Sequence, residues 1–196
     1  MSEFSLKKEI QRKLVHFLSI LILPIYLYFD KTVGLLLLTF ILILLIEIEY
    51  FRVEWGKKIP IFGSIFRSKE KDRMGGEVFF LIGAIICLAV FNEKIAIAAI
   101  LMTTFGDAAA AIFGKAFGTN KIPKLNNKTV EGFVAELGID MLIAYFLLSN
   151  WIVILVMALT ATIVETLSDK LDDNLIIPIF AGFNGHIALY LLALFA

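Results

Sequence analysis

Three aspartates and a set of basic residues stand out in a 196-residue chain that is 60% hydrophobic. Asp107 lies in the stretch "TFGDAAAAIFGKAFGTNKIPKLNNKTVEG", Thr104 to Gly132. There one acid is followed by four alanines, two glycines and a string of lysines. Asp172 and Asp173 are adjacent in "ETLSDKLDDNLIIP", Glu165 to Pro178. Carboxylate oxygens suit Mg²⁺, an ion usually held by one or two carboxylates plus substrate phosphates. Lys115, Lys121, Lys124 and Lys128, with Arg12, Lys13 and Arg73, offer cations for phosphate. Acids for a metal and bases for phosphate furnish a phosphoryl-transfer site, because that chemistry is mostly positioning and charge neutralisation.

Other chemistries fit less well. A P-loop needs G-x-x-x-x-G-K-[ST], but Gly114-Lys115 is followed by Ala116 and has no glycine five positions earlier. The H-E-x-x-H pattern is absent, and two histidines do not make a His-rich metal site. Formal net charge is zero, so nothing favours nucleic acid as a partner. The single cysteine, Cys87, lies in an apolar run and reads as a small core residue.

On a helix, Asp107, Ala110, Ala111, Gly114 and Gly118 form one stripe by i, i+3/i+4 spacing. A stripe without bulk admits the close approach of a second backbone or of a phosphate chain.

The elements that must position these groups are membrane helices. Mean hydropathy is +0.89, and a span needs about 20 mostly apolar residues. Seven candidates appear, at about 14–29, 32–50, 74–91, 95–113, 132–149, 151–167 and 174–196. The first follows Lys7, Lys8, Arg12 and Lys13 but ends "LPIYLYFDK", without a cleavage site, so it reads as a retained helix. The whole of 1–196 reads as one all-α, polytopic membrane domain with polar connections at 51–73 and 114–131.

Positive charges test the count. Four lie at the N-terminus, seven in 51–73, four in 114–131, and Lys170 falls on the same side. Only Lys31 and Lys94 fall on the other. The positive-inside rule then predicts a cytoplasmic N-terminus and an outside C-terminus.

Polar residues within membrane helices are functional candidates by default. With this topology His16, Glu77, Asp107, Glu136, Glu165, Asp169, Asp172 and Asp173 share the cytoplasmic end. Asp140 lies one turn below Glu136 on the same face. The outer half holds little beyond Asp30, Glu93, Asn184 and His186. The stretch 51–66, with Trp55, Ile59, Phe62 and Phe66 among basic residues, reads as an interfacial segment on the inner leaflet.

The motifs resemble the CTP-dependent polyprenol kinase family, which includes dolichol kinase, phytol kinase and CTP-dependent diacylglycerol kinase. The resemblance runs through nearly the whole chain. It rests on "RKLVH" (12–16), "DRMGGEVFF" (72–80), "GDAAAAIFGKAFGTNKIP" followed by "KTVEG", and "ETLSDKLDDNLIIP". It implies transfer of the γ-phosphate of CTP to the hydroxyl of an isoprenoid or similar lipid alcohol. Asp107 would then be a metal ligand or essential acid. Asp172 and Asp173 would complete the Mg²⁺ site or orient the lipid hydroxyl. Lys121 and Lys128 would bind phosphate, with Gly114, Lys115, Gly118 and Thr129 in the same set. Arg12, Lys13, His16 and Arg73 would join the site, and Glu77, Glu131, Glu136, Glu165 and Asn174 would support it.

Two positions depart from the family pattern: Ala108 follows the Gly-Asp pair where a glycine is usual, and Lys115 stands where arginine is common. The lysine keeps the charge but loses the bidentate fork. "KTVEG" also resembles a stretch of CDP-diacylglycerol synthase, so a cytidylyltransferase making a CDP-activated lipid is the close rival. A small transporter using the acids as a relay is a third reading, opposed by their gathering at one face. The expected partners are CTP, a membrane lipid alcohol and the bilayer, and a homo-oligomer stays open.

Overall fold

The computed structural model describes residues 19–55, 74–123, 125, 128–168 and 171–195. Among them β pairing is limited to one isolated antiparallel bridge, Lys121 with Thr129. A 3₁₀ turn, Ser19–Leu21, leads into α1 (Ile22–Tyr28). Then follow α2 (Lys31–Trp55), α3 (Gly76–Val90) and α4 (Glu93–Leu101). A π-helical turn, Met102–Gly106, joins α4 to α5 (Asp107–Phe117). Last come α6 (Val130–Leu147), α7 (Trp151–Leu167) and α8 (Asp173–Leu194).

Among the described residues three helical stretches are long and apolar enough to cross a membrane: Lys31–Glu54, Glu93–Phe117 and Asp173–Leu194. Gly76–Val90 and Trp151–Leu167 are shorter apolar helices. The 25-residue stretch α4–α5 is about 37 Å long at 1.5 Å per residue, more than a hydrocarbon core of about 30 Å. Apolar side chains cover the outside as well as the core: Leu36, Phe40, Ile43 and Ile48 on α2 are all at least half exposed.

Side-chain caps start several helices where the sequence turns polar. Asp30 Oδ1 accepts from the Thr32 and Val33 amides, Asn92 from Lys94, and Asn150 from Ile152 and Val153. Each satisfies N–H groups that a helix start leaves without partners.

The last helix joins three others. It packs on α7, α3 and α4. Between lipid-facing helices there is little hydrophobic drive to associate, so close van der Waals approach by small residues matters most. Gly182 lies on the Phe91 ring and Gly185 on the Met157 side chain, each too close to leave room for a Cβ. Gly83 of α3 meets the kink side of α8: a Cβ there would stand 3.0 Å from Pro178 Cγ and 3.1 Å from the Asn174 carbonyl oxygen. That carbonyl is the one Pro178 cannot serve, since proline has no N–H. Cys87 is fully buried in the same core, as a small apolar residue would be.

Several boundaries differ from the sequence expectation. The second helix continues to Trp55, so the connection starts later than residue 51. The fourth begins at Glu93 and runs through the π turn to Phe117, past Lys115. Lys115 did not end it because a charged side chain is compatible with a last helical turn. Gly118 ends it by leaving helical backbone angles, at ψ 101°. It is therefore not helical, and the stripe from Asp107 ends at Gly114. Thr129 then caps α6, which shortens the connection to 118–129.

Candidate active site

The π turn comes immediately before Asp107. Thr103 Oγ1 donates to the Ala99 carbonyl at 2.8 Å, and Thr104 Oγ1 to that of Ile100 at 3.2 Å. Both threonines are buried, and their hydroxyls supply extra donors where the helical repeat changes. Such turns are often found at functional sites. This one sets Gly106 against the carboxylate of Asp140: a Cβ on Gly106 would overlap Oδ1 and stand 3.0 Å from Cγ. The glycine of the Gly-Asp pair thus admits an acid from α6, while Asp107 begins α5.

Helices α5, α6 and α7 bring a second group of acids to the same place. Glu136 and Asp140 of α6 are 0% exposed, and Glu165 of α7 is 4% exposed. Glu165 forms an ion pair with Lys128, whose ammonium also donates to the Glu165 carbonyl at 3.2 Å. Asp140 Oδ2 accepts from Thr162 Oγ1 at 3.3 Å, and Oδ1 has no hydrogen-bond partner. Neither carboxylate oxygen of Glu136 has one. Asp107, Asp140, Glu165 and Lys128 all lie within electrostatic reach of Glu136, and Asp173 within reach of Glu165.

The N-terminus of α8 completes this end. Asp172 is its cap: Oδ1 accepts from the Asn174 amide at 3.1 Å and from Asn174 Nδ2 at 2.9 Å. Asp173 Oδ1 accepts from the same amide at 3.0 Å. Asn174 Nδ2 also lies over Gly76, where a Cβ would come to 2.7 Å. Gly76 of "DRMGGEVFF" therefore lets α3 begin against the Asp-Asp-Asn turn. Glu77, half-buried, is in the first turn of α3.

The room beside Gly114 and Gly118 is filled by the Thr129 side chain and, at Gly114, by the Gly132 backbone behind it. A Cβ on Gly114 would be 3.0 Å from Thr129 Oγ1, and one on Gly132 would be 3.4 Å from Gly114 Cα. Thr129 Oγ1 itself accepts from the Gly132 amide at 3.1 Å. The small residues thus serve the contact of α5 with α6. Lys115 sits in the last turn of α5. Lys121 is exposed, on a two-stranded turn closed by Ile122 N to Lys128 O and Val130 N to Asn120 O, each 2.9 Å.

Glu131, ahead of the expected span, fastens that turn. Its Oε1 accepts from the Thr119 hydroxyl at 2.7 Å, the Thr119 amide at 3.1 Å, the Asn120 amide at 3.0 Å and Asn120 Nδ2 at 2.9 Å. The Thr119 hydroxyl first, and the backbone N–H groups with it, hold its carboxyl down at about 2.

Arg12, Lys13, His16, Arg73 and Lys124 lie outside the described residues, as does Asp169. Among the described residues no three His, Cys, Asp or Glu side chains gather as a metal-holding group. Asp107, Asp172 and Asp173 therefore do not form a three-ligand cluster. The sequence reading passed over Glu49, which is 6% exposed. It accepts from Arg52 at 2.9 and 2.7 Å and from the Gly75 amide at 2.8 Å. That contact ties α2 to the start of α3. The Glu-x-x-Arg spacing at the end of an apolar helix was its only sequence signal.

No family model and no solved structure matches the chain. An uncharacterized protein of Methanocaldococcus jannaschii is 31% identical over 182 residues, 90% of this chain and 92% of its own length. CTP-dependent diacylglycerol kinase 1 of Saccharomyces cerevisiae is 25% identical over 154 residues, 71% of this chain and 50% of the yeast protein. Phytol kinase 1, chloroplastic, of Arabidopsis thaliana is 29% identical over 131 residues, 57% of this chain and 43% of the plant protein. The match thus spans about half the length of these two kinases. The chain is thus similar, at modest identity, to CTP-dependent diacylglycerol kinases and phytol kinases, in keeping with the resemblance to the CTP-dependent lipid kinase family.

Proposed function

We propose that this protein is a membrane lipid kinase that moves the γ-phosphate of CTP to the hydroxyl of an isoprenoid or similar lipid alcohol. The observation that carries the reading is the gathering of Asp107, Glu136, Glu165, Lys128 and the Asp172-Asp173-Asn174 turn at one end of an apolar bundle. Acids and a base meet there where hydrocarbon gives way to polar connections. The charge bias of the loops supports a cytoplasmic position for that end, where a nucleotide would be available.

The chemistry follows from that placement. Asp107, with Asp172 or Asp173, would hold Mg²⁺ on the triphosphate, and the ion would neutralise phosphate charge. Lys115, Lys121 and Lys128 would receive phosphate oxygens as point charges. Lys128 is held in this region by its ion pair with Glu165. Arg12, Lys13, His16 and Arg73 are proposed to complete the phosphate-binding rim. The alcohol would enter sideways from the bilayer, so its hydroxyl arrives at the depth of the buried acids. Holding both reactants in line supplies much of the rate enhancement.

Purified protein in liposomes, given Mg²⁺ and γ-labelled CTP, tests this with a panel of polyprenols, phytol, geranylgeraniol and diacylglycerol. Label should pass into the organic phase with at least one alcohol, and ATP or GTP should substitute poorly. No lipid-borne label with any alcohol would remove the reading.

A further inference from the structure

We propose that Glu49 is a positioning residue for the phosphoryl transfer, an inference that rests on the lipid-kinase reading. Its carboxylate sets where α3 begins, and the start of α3 sets the Asp172-Asp173-Asn174 turn. Glu49 lies near the C-terminal end of α2 and is 6% exposed. Both its oxygens are engaged. Oε1 accepts from Arg52 Nε at 2.9 Å, and Oε2 accepts from Arg52 Nη2 at 2.7 Å and from the buried Gly75 amide at 2.8 Å.

Gly75 is the cap of α3 and has no side chain with which to bond the helix start. In a capping box, a Glu or Gln three residues later accepts from the N–H of the cap residue. Here that position is Val78, which carries no acceptor. Glu49 supplies one from another helix, 26 residues earlier in the chain. The arginine fork holds the carboxylate in one orientation. A buried ion pair adds little stability over apolar packing of the same volume, but its hydrogen bonds fix distance and direction.

From Gly75 the contact passes to α8 through positions without side chains. A Cβ on Gly76 would come to 2.7 Å from Asn174 Nδ2. One on Gly83, about two turns later, would come to 3.1 Å from the Asn174 carbonyl oxygen and 3.3 Å from that of Leu175. So α3 lies against the first turn of α8 at two points of close approach. Asn174 in turn holds the acids: Nδ2 donates to Asp172 Oδ1 at 2.9 Å, and the backbone amide donates to Asp172 Oδ1 at 3.1 Å and to Asp173 Oδ1 at 3.0 Å. Release of Gly75 lets the start of α3 shift, and the side chain it then crowds or leaves is the one bonded to Asp172. Glu49 thus acts through Gly75, Gly76 and Asn174.

The test uses the full chain with Glu49→Gln and Glu49→Ala. In detergent, Glu49→Ala should speed hydrogen exchange at the Asn174 amide by at least about five-fold. The Ile152 amide, at the end of α7 away from Glu165, should stay within about two-fold of wild type. In liposomes with Mg²⁺, γ-labelled CTP, and dioleoylglycerol or geranylgeraniol, Glu49→Ala should lower kcat by about 10–100-fold, the scale of losing a partner that orients a working group. The KM for the alcohol should stay within about two-fold. Glu49→Gln keeps an oxygen for the Gly75 amide and should fall between Ala and wild type. In an Asn174→Ala background the effect of Glu49→Ala should shrink to about two-fold or less, because the route is already cut. Unchanged exchange at Asn174, wild-type kcat in Glu49→Ala, or an equal loss of kcat in both backgrounds would each overturn the proposal. So would loss of folding in both Glu49 variants, which would make the residue part of the fold alone. A wild-type protein that phosphorylates neither alcohol would instead overturn the kinase reading, and this inference with it.

Discussion

The Asp140 carboxylate lies directly on the Cα of Gly106, so the two residues exclude any side chain at position 106. The contact couples the π turn before Asp107 to the buried face of α6. Gly106→Ala must push Asp140 aside or part α5 from α6. Overpacking of this kind costs about 1–3 kcal/mol. Thermal unfolding in detergent should show a lowered midpoint for Gly106→Ala. In an Asp140→Ala background most of that loss should vanish, because contacting residues are coupled. Equal losses in both backgrounds would contradict the contact.

Asp107 and Asp172 carry the proposed Mg²⁺ on the nucleotide. Asp107→Asn and Asp172→Asn keep shape while removing charge. Each should lower turnover by at least about 10²-fold, the scale of losing one electrostatic contact to the transition state, while the protein elutes as the same folded species. Full activity in both would sink the site assignment.

Lys128 has a structural task whatever phosphate it binds. Its side chain is 29% exposed, while that of Glu165 is 5% exposed. Lys128→Gln strands a buried acid, which costs about 3–5 kcal/mol when burial is complete and less here because solvent reaches the lysine. The double variant Lys128→Gln/Glu165→Gln should unfold at a higher temperature than the single one. An unchanged midpoint for Lys128→Gln would show that the pair does not matter to the fold.

Glu131 predicts a pH dependence of the 118–121 turn. Its carboxyl titrates near 2 when folded, against 4.5 for a free glutamate. The folded value is depressed, so the contribution is fully present above about pH 4.5 and is lost as pH falls through about 2. Hydrogen exchange at the Thr119 and Asn120 amides reads it directly. Glu131→Gln should exchange several-fold faster than wild type between about pH 5 and 8, and the ratio should fall toward one near pH 2. A ratio that ignores pH would contradict the assignment.

Much of this was legible in the sequence for physical reasons. Apolar runs announce helices because that signal is local, whereas the caps at Asp30, Asn92, Thr129, Asn150 and Asp172 were recognised only in the structure. Asp107, Glu136 and Glu165 were legible as site candidates because acids are costly in apolar helices. Their partners were not legible. Lys128 meets Glu165 across 37 residues, and Glu49 meets Gly75 across 26. Nothing local encodes either pairing. The π turn left no mark either, since "MTTFG" contains no proline. The glycines of "GDAAAAIFGKAFG" announced a close approach, but only the packing of α6 revealed what approaches.

The central claim is that this site transfers the terminal phosphate of CTP to a lipid hydroxyl. Parallel liposome reactions with CTP labelled at the γ- or α-phosphate, Mg²⁺ and the alcohol panel test it most directly. The account predicts label in lipid from the γ position only, with CDP released. Label in lipid from the α position, with pyrophosphate released, would contradict it and make the protein a cytidylyltransferase.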